Sequence, residues 1–158
     1  MIKITLPDGS TKDVKKGSNA LDIANSISEG LARNIVSATI NKEVWDITRP
    51  INSDASIKLH TFNDKEGKMT FWHSTAHLMA EALEILYPNV KLGIGPAIDN
   101  GFYYDIDLGG NRKLSSDDFP KIEKKMLDLA REKNSFLRKE ISKKEALNYF
   151  TKKQDPYK

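Results

Sequence analysis

Ile2, Ile4 and Leu6 alternate with polar residues, the period of a strand with one buried face. Pro7-Asp8-Gly9-Ser10 supplies turn chemistry, and Thr11 to Lys15 returns as a second strand. Gly17-Ser18-Asn19 is a loop ending in an N-cap residue. Ala20, Ile23, Ala24 and Ile27 then fall at helical spacing, with Gly30 as the expected C-terminal stop. Val36, Ala38 and Ile40 alternate again, Asn41-Lys42 turns, and Val44 to Ile47 and the Ile57/Leu59 stretch give two more strands.

The order strand, strand, helix, strand, strand, strand is satisfied by one helix packed across a small mixed sheet, as in a β-grasp roll. Residues Asn63 to Lys68 are polar and unpatterned, which divides the chain into domains 1–62 and 63–158. Past that boundary the pattern predicts a long helix through Phe71-Trp72-His73-Ser74-Thr75-Ala76-His77, ending near Tyr87 because Pro88 disfavours helical geometry before it. Trp72, Leu78, Met79, Ala82, Leu83, Ile85 and Leu86 form its apolar stripe. His73, His77, Ala80 and Glu84 share the opposite face, with Glu81 beside them.

The glycine-rich stretch Lys91 to Asp107 follows, with Phe102 to Ile106 as a strand candidate. Gly109-Gly110-Asn111 is a turn. Ser115-Ser116-Asp117-Asp118 caps a helix with Pro120 in its first turn and Phe119, Ile122, Met126 and Leu129 as its stripe, running to about Asn134. Phe136 to Ile141 reads as a strand, and Ser142-Lys143-Lys144-Glu145 as a capping box opening a short helix through Tyr149. No element after it closes the second sheet, so an open edge favouring self-association is expected.

Composition excludes several classes. An apolar share of 39% and a charged share of 30% fit a globular domain rather than a disordered chain. No apolar run reaches a membrane span and no signal peptide is evident, and cysteine is absent, which removes disulfide and thiol chemistry and leaves a cytoplasmic default. The net charge of +3 is unevenly spread: residues 63–118 carry 5 basic and 9 acidic side chains, residues 119–158 carry 12 and 6. The basic end suits phosphates, or simply solvated lysine-rich helix faces.

His73 and His77 lie one helical turn apart, so one face presents two imidazoles able to accept a proton from water or hold a hydroxyl. As a metal site the pair supplies two ligands, with Glu81 or Glu84 as possible thirds; the metalloprotease pattern fails because Ser74 follows the first histidine, and no metal ligand is assigned. His60 ends a strand alone and reads as structural or exposed. Phe102 and Tyr104 are core if the strand is regular, whereas Tyr103 or Tyr104 at a cleft mouth would bind a ligand.

Two motifs together, His73-Ser74-Thr75-Ala76-His77 and Gly95-Pro96-Ala97-Ile98-Asp99-Asn100-Gly101-Phe102-Tyr103-Tyr104-Asp105, resemble the editing domain of bacterial-type threonyl-tRNA synthetases. The preceding part, with Ile4 to Ser10 and Ile40 to Val44, resembles the TGS domain that begins those enzymes. The resemblance covers essentially the whole chain. It implies an α+β protein: a small ubiquitin-like β-grasp domain followed by an incomplete α/β editing domain.

It further implies that His73 and His77 position the attacking water and the terminal ribose hydroxyls, that Lys158 stabilises developing charge on the ester oxygen, that Tyr104 lines a seryl pocket, and that Gly95 and Pro96 shape its wall. The family's Cys-x-x-x-His element and its aminoacylation core are missing. The chain is therefore expected to be an N-terminal fragment with no cofactor of its own and little catalysis alone. ATP, Mg and Zn belong to the absent catalytic domain, threonine-specific tRNA is the implied partner, and the full-length enzyme is expected to be a cytoplasmic homodimer. The rival reading is a non-enzymatic TGS-containing RNA-binding or regulatory module.

Overall fold

The computed structural model describes residues 1–153. It divides into two compact units, Met1–Trp72 and the part from His73 onward. The first holds strands β1 (Ile2–Thr5), β2 (Thr11–Val14), β3 (Ile35–Ile40), β4 (Glu43–Trp45) and β5 (Ala55–Thr61), with helices α1 (Ala20–Ile27) and α2 (Glu29–Asn34). The strands form one sheet in the order β2-β1-β5-β3-β4. β1 and β5 run parallel with Ile4 opposite Ala55, and the other pairs are antiparallel. The β-grasp expectation is met.

The core explains the alternation. Ile2, Ile4, Ala38, Ile40, Ala55 and Ile57 from the sheet close on Ala20 and Ile23 of α1. Burying each large aliphatic side chain contributes about 1.5–3 kcal/mol relative to leaving it exposed. α1 starts with a capping box: the Asn19 side chain accepts from the Asp22 amide at 2.9 Å while Asp22 accepts from the Asn19 amide at 3.0 Å.

Two local expectations are corrected. Gly30 does not stop α1; it lies inside α2. Ser28 ends α1 in extended geometry, and its hydroxyl accepts from the Leu31 amide at 3.0 Å to begin α2. The alternation in β3 is also broken. Its register with β5 slips between Ile35 and Ser37, so Ile35, Ser37, Ala38 and Ile40 are buried while Val36 is only half-buried. Asn41 and Lys42 both take positive φ, 47° and 77°, as a tight hairpin turn demands.

Helix α3 (Lys65–Leu86) starts within the polar, unpatterned stretch at which the sequence places the domain boundary. Asp64 stands just before it: its carboxylate accepts from the Thr61 amide at 2.8 Å and hydroxyl at 3.1 Å, which holds its pKa below the ordinary carboxylate value. Gly67 lies in the first turns, where a Cβ would come 1.9 Å from the Thr61 carbonyl oxygen. Only glycine lets the helix approach the end of β5 so closely. His60, 1% exposed, sits beside this joint. Its Nε2 is 2.7 Å from the Thr39 hydroxyl, and its Nδ1 points toward the Glu66 carboxylate at 3.7 Å.

Among the described residues, the unit from His73 onward carries the rest of α3, four two-residue strands, and helices α4 (Phe119–Glu132) and α5 (Lys143–Lys153). The strands are β6 (Lys91–Leu92), β7 (Ala97–Ile98), β8 (Gly101–Phe102) and β9 (Ile106–Asp107), so the single strand expected over Phe102–Ile106 is divided. α4 ends with Lys133 in the left-handed region at φ 55°. Asp118 occupies its N-cap position without capping. Its carboxylate instead accepts from the Tyr87 hydroxyl at 2.9 Å and from the Ser115 amide and hydroxyl at 2.9 and 3.0 Å. The Ser115 bonds, with that from Tyr87, hold the Asp118 pKa below the usual carboxylate value, whereas burial and then Asp118 raise that of Tyr87.

Phe136 to Ile141 is not a strand. Phe136, Leu137 and Ile141 are exposed, Leu137 by 92%, and among the described residues no strand pairs with this stretch. The capping box at Ser142 and Glu145 does form, with bonds of 2.8 to 3.3 Å, and α5 runs beyond Tyr149. Among the described residues no helix is long and apolar enough to cross a membrane.

Two outcomes follow. Gly67→Ala should cost about 1–3 kcal/mol, read as a lowered urea midpoint, because the clash is with backbone. Burial depresses the His60 pKa below 6.5, so the folded state binds fewer protons than the unfolded one. The stability this provides is complete above about pH 6.5 and declines as pH falls below it. Urea midpoints at about pH 7.5 and 5.5 should differ more for the native protein than for His60→Gln.

Candidate functional site

The site is built on α3. His73 and His77 are exposed, and their Nε2 atoms lie 3.1 Å apart with the rings edge-to-face at 4.6 Å between centroids. Spacing of four residues on a regular helix brings them together without any tertiary contact. One Nε2 carries the hydrogen and donates it, and the other accepts it through its lone pair, so the face offers both an N–H donor and a basic nitrogen.

The rest of the wheel differs from expectation. Ala76, Ala80, Ala82 and Leu83 are buried, whereas Ile85 is 48% exposed. Ala80, placed by periodicity on the histidine face, belongs to the packed surface. Small side chains at 76, 80 and 82 let neighbouring elements approach the helix closely, a feature that hydropathy alone does not report. Trp72 and Phe71 instead join Phe62 in an edge-to-face cluster in the first unit, with ring centroids 5.2 to 5.7 Å apart.

Gly95, Pro96 and Tyr104 lie on a hairpin. Lys91 pairs with Asp107 and Leu92 with Ile106, then Ala97 with Phe102 and Ile98 with Gly101. Between these two ladders, Gly93 to Pro96 face the shorter run Tyr103 to Asp105, so the register slips by one. The Gly93 amide donates to the Asp105 carbonyl at 2.8 Å and the Asp105 amide to the Ile94 carbonyl at 2.9 Å. Pro96 has no amide hydrogen to continue the ladder, which accounts for the break.

The bulge turns Tyr104 toward Gly95. A Cβ on Gly95 would come 2.3 Å from both Cδ2 and Cε2 of the Tyr104 ring. The half-buried ring therefore lies flat against the glycine backbone. Its neighbour Tyr103 is 47% exposed, so of the two tyrosines left open by the sequence Tyr104 is the one packed into the hairpin. Tyr104 also lines a cavity of about 220 Å³ with Met79 and Leu83 of α3, Ile106 of β9, and Phe119, Ile122 and Met126 of α4.

Sequence reasoning did not single out Met79 and Leu83 as neighbours of Tyr104, nor the Tyr87–Asp118 bond, since neither leaves a local pattern. Lys158 lies outside the described residues. Among the described residues no group of three or more His, Cys, Asp or Glu side chains is placed to hold a metal, so neither Glu81 nor Glu84 makes a third ligand for the histidines.

Comparison with known proteins defines the class first. Residues 2–61 match the TGS domain, and the five-stranded sheet of the first unit is that domain. Over all 158 residues the chain is 63% identical to the threonine–tRNA ligase of Cytophaga hutchinsonii, 53% to that of Porphyromonas gingivalis and 52% to that of Parabacteroides distasonis. Each alignment covers 100% of this chain and 24% of the relative, so the chain spans about a quarter of the length of the curated relatives it matches. Those relatives are ligases, and the chain corresponds to their N-terminal region.

If Gly95 serves to seat the Tyr104 ring, Gly95→Ala should displace that ring without unfolding the domain. In a double-mutant cycle with Tyr104→Ala the two stability losses should be less than additive, with a coupling of about 0.5–3 kcal/mol by urea denaturation.

Proposed function

We propose that this chain is the TGS and editing region of a threonine–tRNA ligase, acting in hydrolysis of tRNA mischarged with serine. The observation that carries the reading is the exposed His73–His77 pair with its Nε2 atoms 3.1 Å apart, on a chain similar throughout to such ligases. The full-length enzyme attaches threonine to its tRNA using ATP, with Mg and Zn in a catalytic domain outside this chain. It works in the cytoplasm as a homodimer. The domain division at 62/63 separates a docking module from the editing part.

The chemistry explains why such a region is needed. Serine lacks one methyl group of threonine, and a lost methyl contact is worth only about 1–3 kcal/mol, so a threonine pocket cannot strongly reject serine. A second, smaller cleft that hydrolyses the seryl ester and excludes the threonyl ester supplies the missing discrimination. In this reading His73 and His77 position water and the ribose hydroxyls, Tyr104 lines the seryl pocket, and Gly95 and Pro96 hold its wall. Lys158 steadies the ester oxygen as charge develops.

In a polypeptide of the relatives' full length, His73→Ala should lower seryl-tRNA hydrolysis by about 100-fold or more while leaving threonylation intact. Measuring both activities on one preparation decides the matter, because equal loss of the two would sink the proposal. The 158-residue chain alone should show little deacylation and no threonine activation.

A further inference from the structure

We propose that His60 is an acid-operated latch: its neutral ring lets the first turns of α3 close on the end of β5, and taking up a proton frees those turns while the sheet stays paired. The geometry around the ring carries this inference. His60 is 1% exposed, its Nε2 lies 2.7 Å from the Thr39 hydroxyl of β3, and its Nδ1 stands 3.7 Å from the Glu66 carboxylate of α3. The second distance is too long for a hydrogen bond. A neutral ring suits this site with its hydrogen on Nδ1, facing the carboxylate, while Nε2 accepts from the Thr39 hydroxyl.

An imidazolium does not suit it. Both nitrogens then donate, so the Thr39 hydroxyl has to turn from donor to acceptor. The charge is sealed from water without a hydrogen-bonded counterion, the costly case for a buried ion. Burial acts most strongly against the charged ring; Glu66 favours it, Lys58 of β5 opposes it, and Asp64 favours it more weakly. The Glu66 side chain is 43% exposed, so water weakens its pull. Nor can the helix backbone move inward to shorten the gap, because at Gly67 a Cβ would already come 1.9 Å from the Thr61 carbonyl oxygen. Relief comes by opening outward. Ser37, fully buried and paired with His60 in the β3–β5 register, adds to this. Its hydroxyl and the His60 Nδ1 are both buried with no hydrogen-bond partner among the described residues, and an opened joint gives both to water.

Amide hydrogen exchange on the 158-residue chain, with each rate divided by its intrinsic value at the same pH, reads the opening directly. The Lys68 amide, bonded to the Asp64 carbonyl at 2.8 Å, reports the joint, and the amides of β1 report the sheet. A released ring titrates near 6.5. Going from about pH 7.5 to about pH 5.5 should therefore raise opening at Lys68 by up to about tenfold and leave β1 unchanged. His60→Gln, uncharged throughout, should lose that response. Glu66→Gln alters a half-exposed side chain whose charge only favours the imidazolium, so it should keep the response, and it serves as the test if His60→Gln does not fold. An unchanged Lys68 rate, an equal rise in β1, the same response in His60→Gln, or any acid response that needs Glu66 would overturn the proposal.

Discussion

The contact between two imidazoles one turn apart on α3 is the constraint around which the second unit makes sense. A helix can present that pair outward only if its other faces are taken up by packing. Ala76, Ala80 and Leu83 provide that packing, each less than a tenth exposed. The small residues matter as much as the large one: by allowing close approach on both sides of the stripe, they leave one narrow exposed strip for His73 and His77. The pair's contact thus follows from helical geometry, and its accessibility from the volume of the residues packed on the other faces.

The hairpin from Lys91 to Asp107 answers a different problem, that of holding an aromatic ring still on a two-stranded element. Isolated hairpins of this size are marginal. Here the ladder is interrupted at Pro96 and slips register by one, which would weaken it further. The same irregularity presses Tyr104 onto Gly95, and the ring then shares an apolar cavity wall with Met79, Leu83, Ile122 and Met126. Rigidity lost from the ladder is recovered as packing against helices.

In the first unit the joint between β5 and α3 concentrates polar groups at the rim of an apolar core. Asp64 takes the free donors of Thr61, Gly67 admits the helix to the strand's end, and His60 is sealed beneath with Thr39 and Glu66 as neighbours. Burial is the main reason His60 remains neutral, with Glu66 acting in the opposite direction. A buried neutral base at a tight joint makes the domain's stability respond to acid even though its core is aliphatic.

Much of this was legible from residue order. Period-2 alternation located β1, the turn at Pro7 to Ser10 placed β2 after it, Ile57 and Leu59 marked β5, Asn19 announced α1, Ser142 and Glu145 announced α5, and Pro88 marked the end of α3, because each is a local signal acting within one turn or one pleat. The His73–His77 contact was equally local. Other features were settled by neighbours distant in sequence. The bulge at Val36 depends on its pairing with β5. The idle strand pattern at Phe136 depends on the lack of a ladder, and the burial of Ala80 on what packs against the helix. The seating of Tyr104 depends on a glycine across a hairpin. Local propensity selects which element a stretch forms; which of its faces is covered, and what ring lies against what backbone, is decided by volume and hydrogen-bond partners that arrive from elsewhere in the chain.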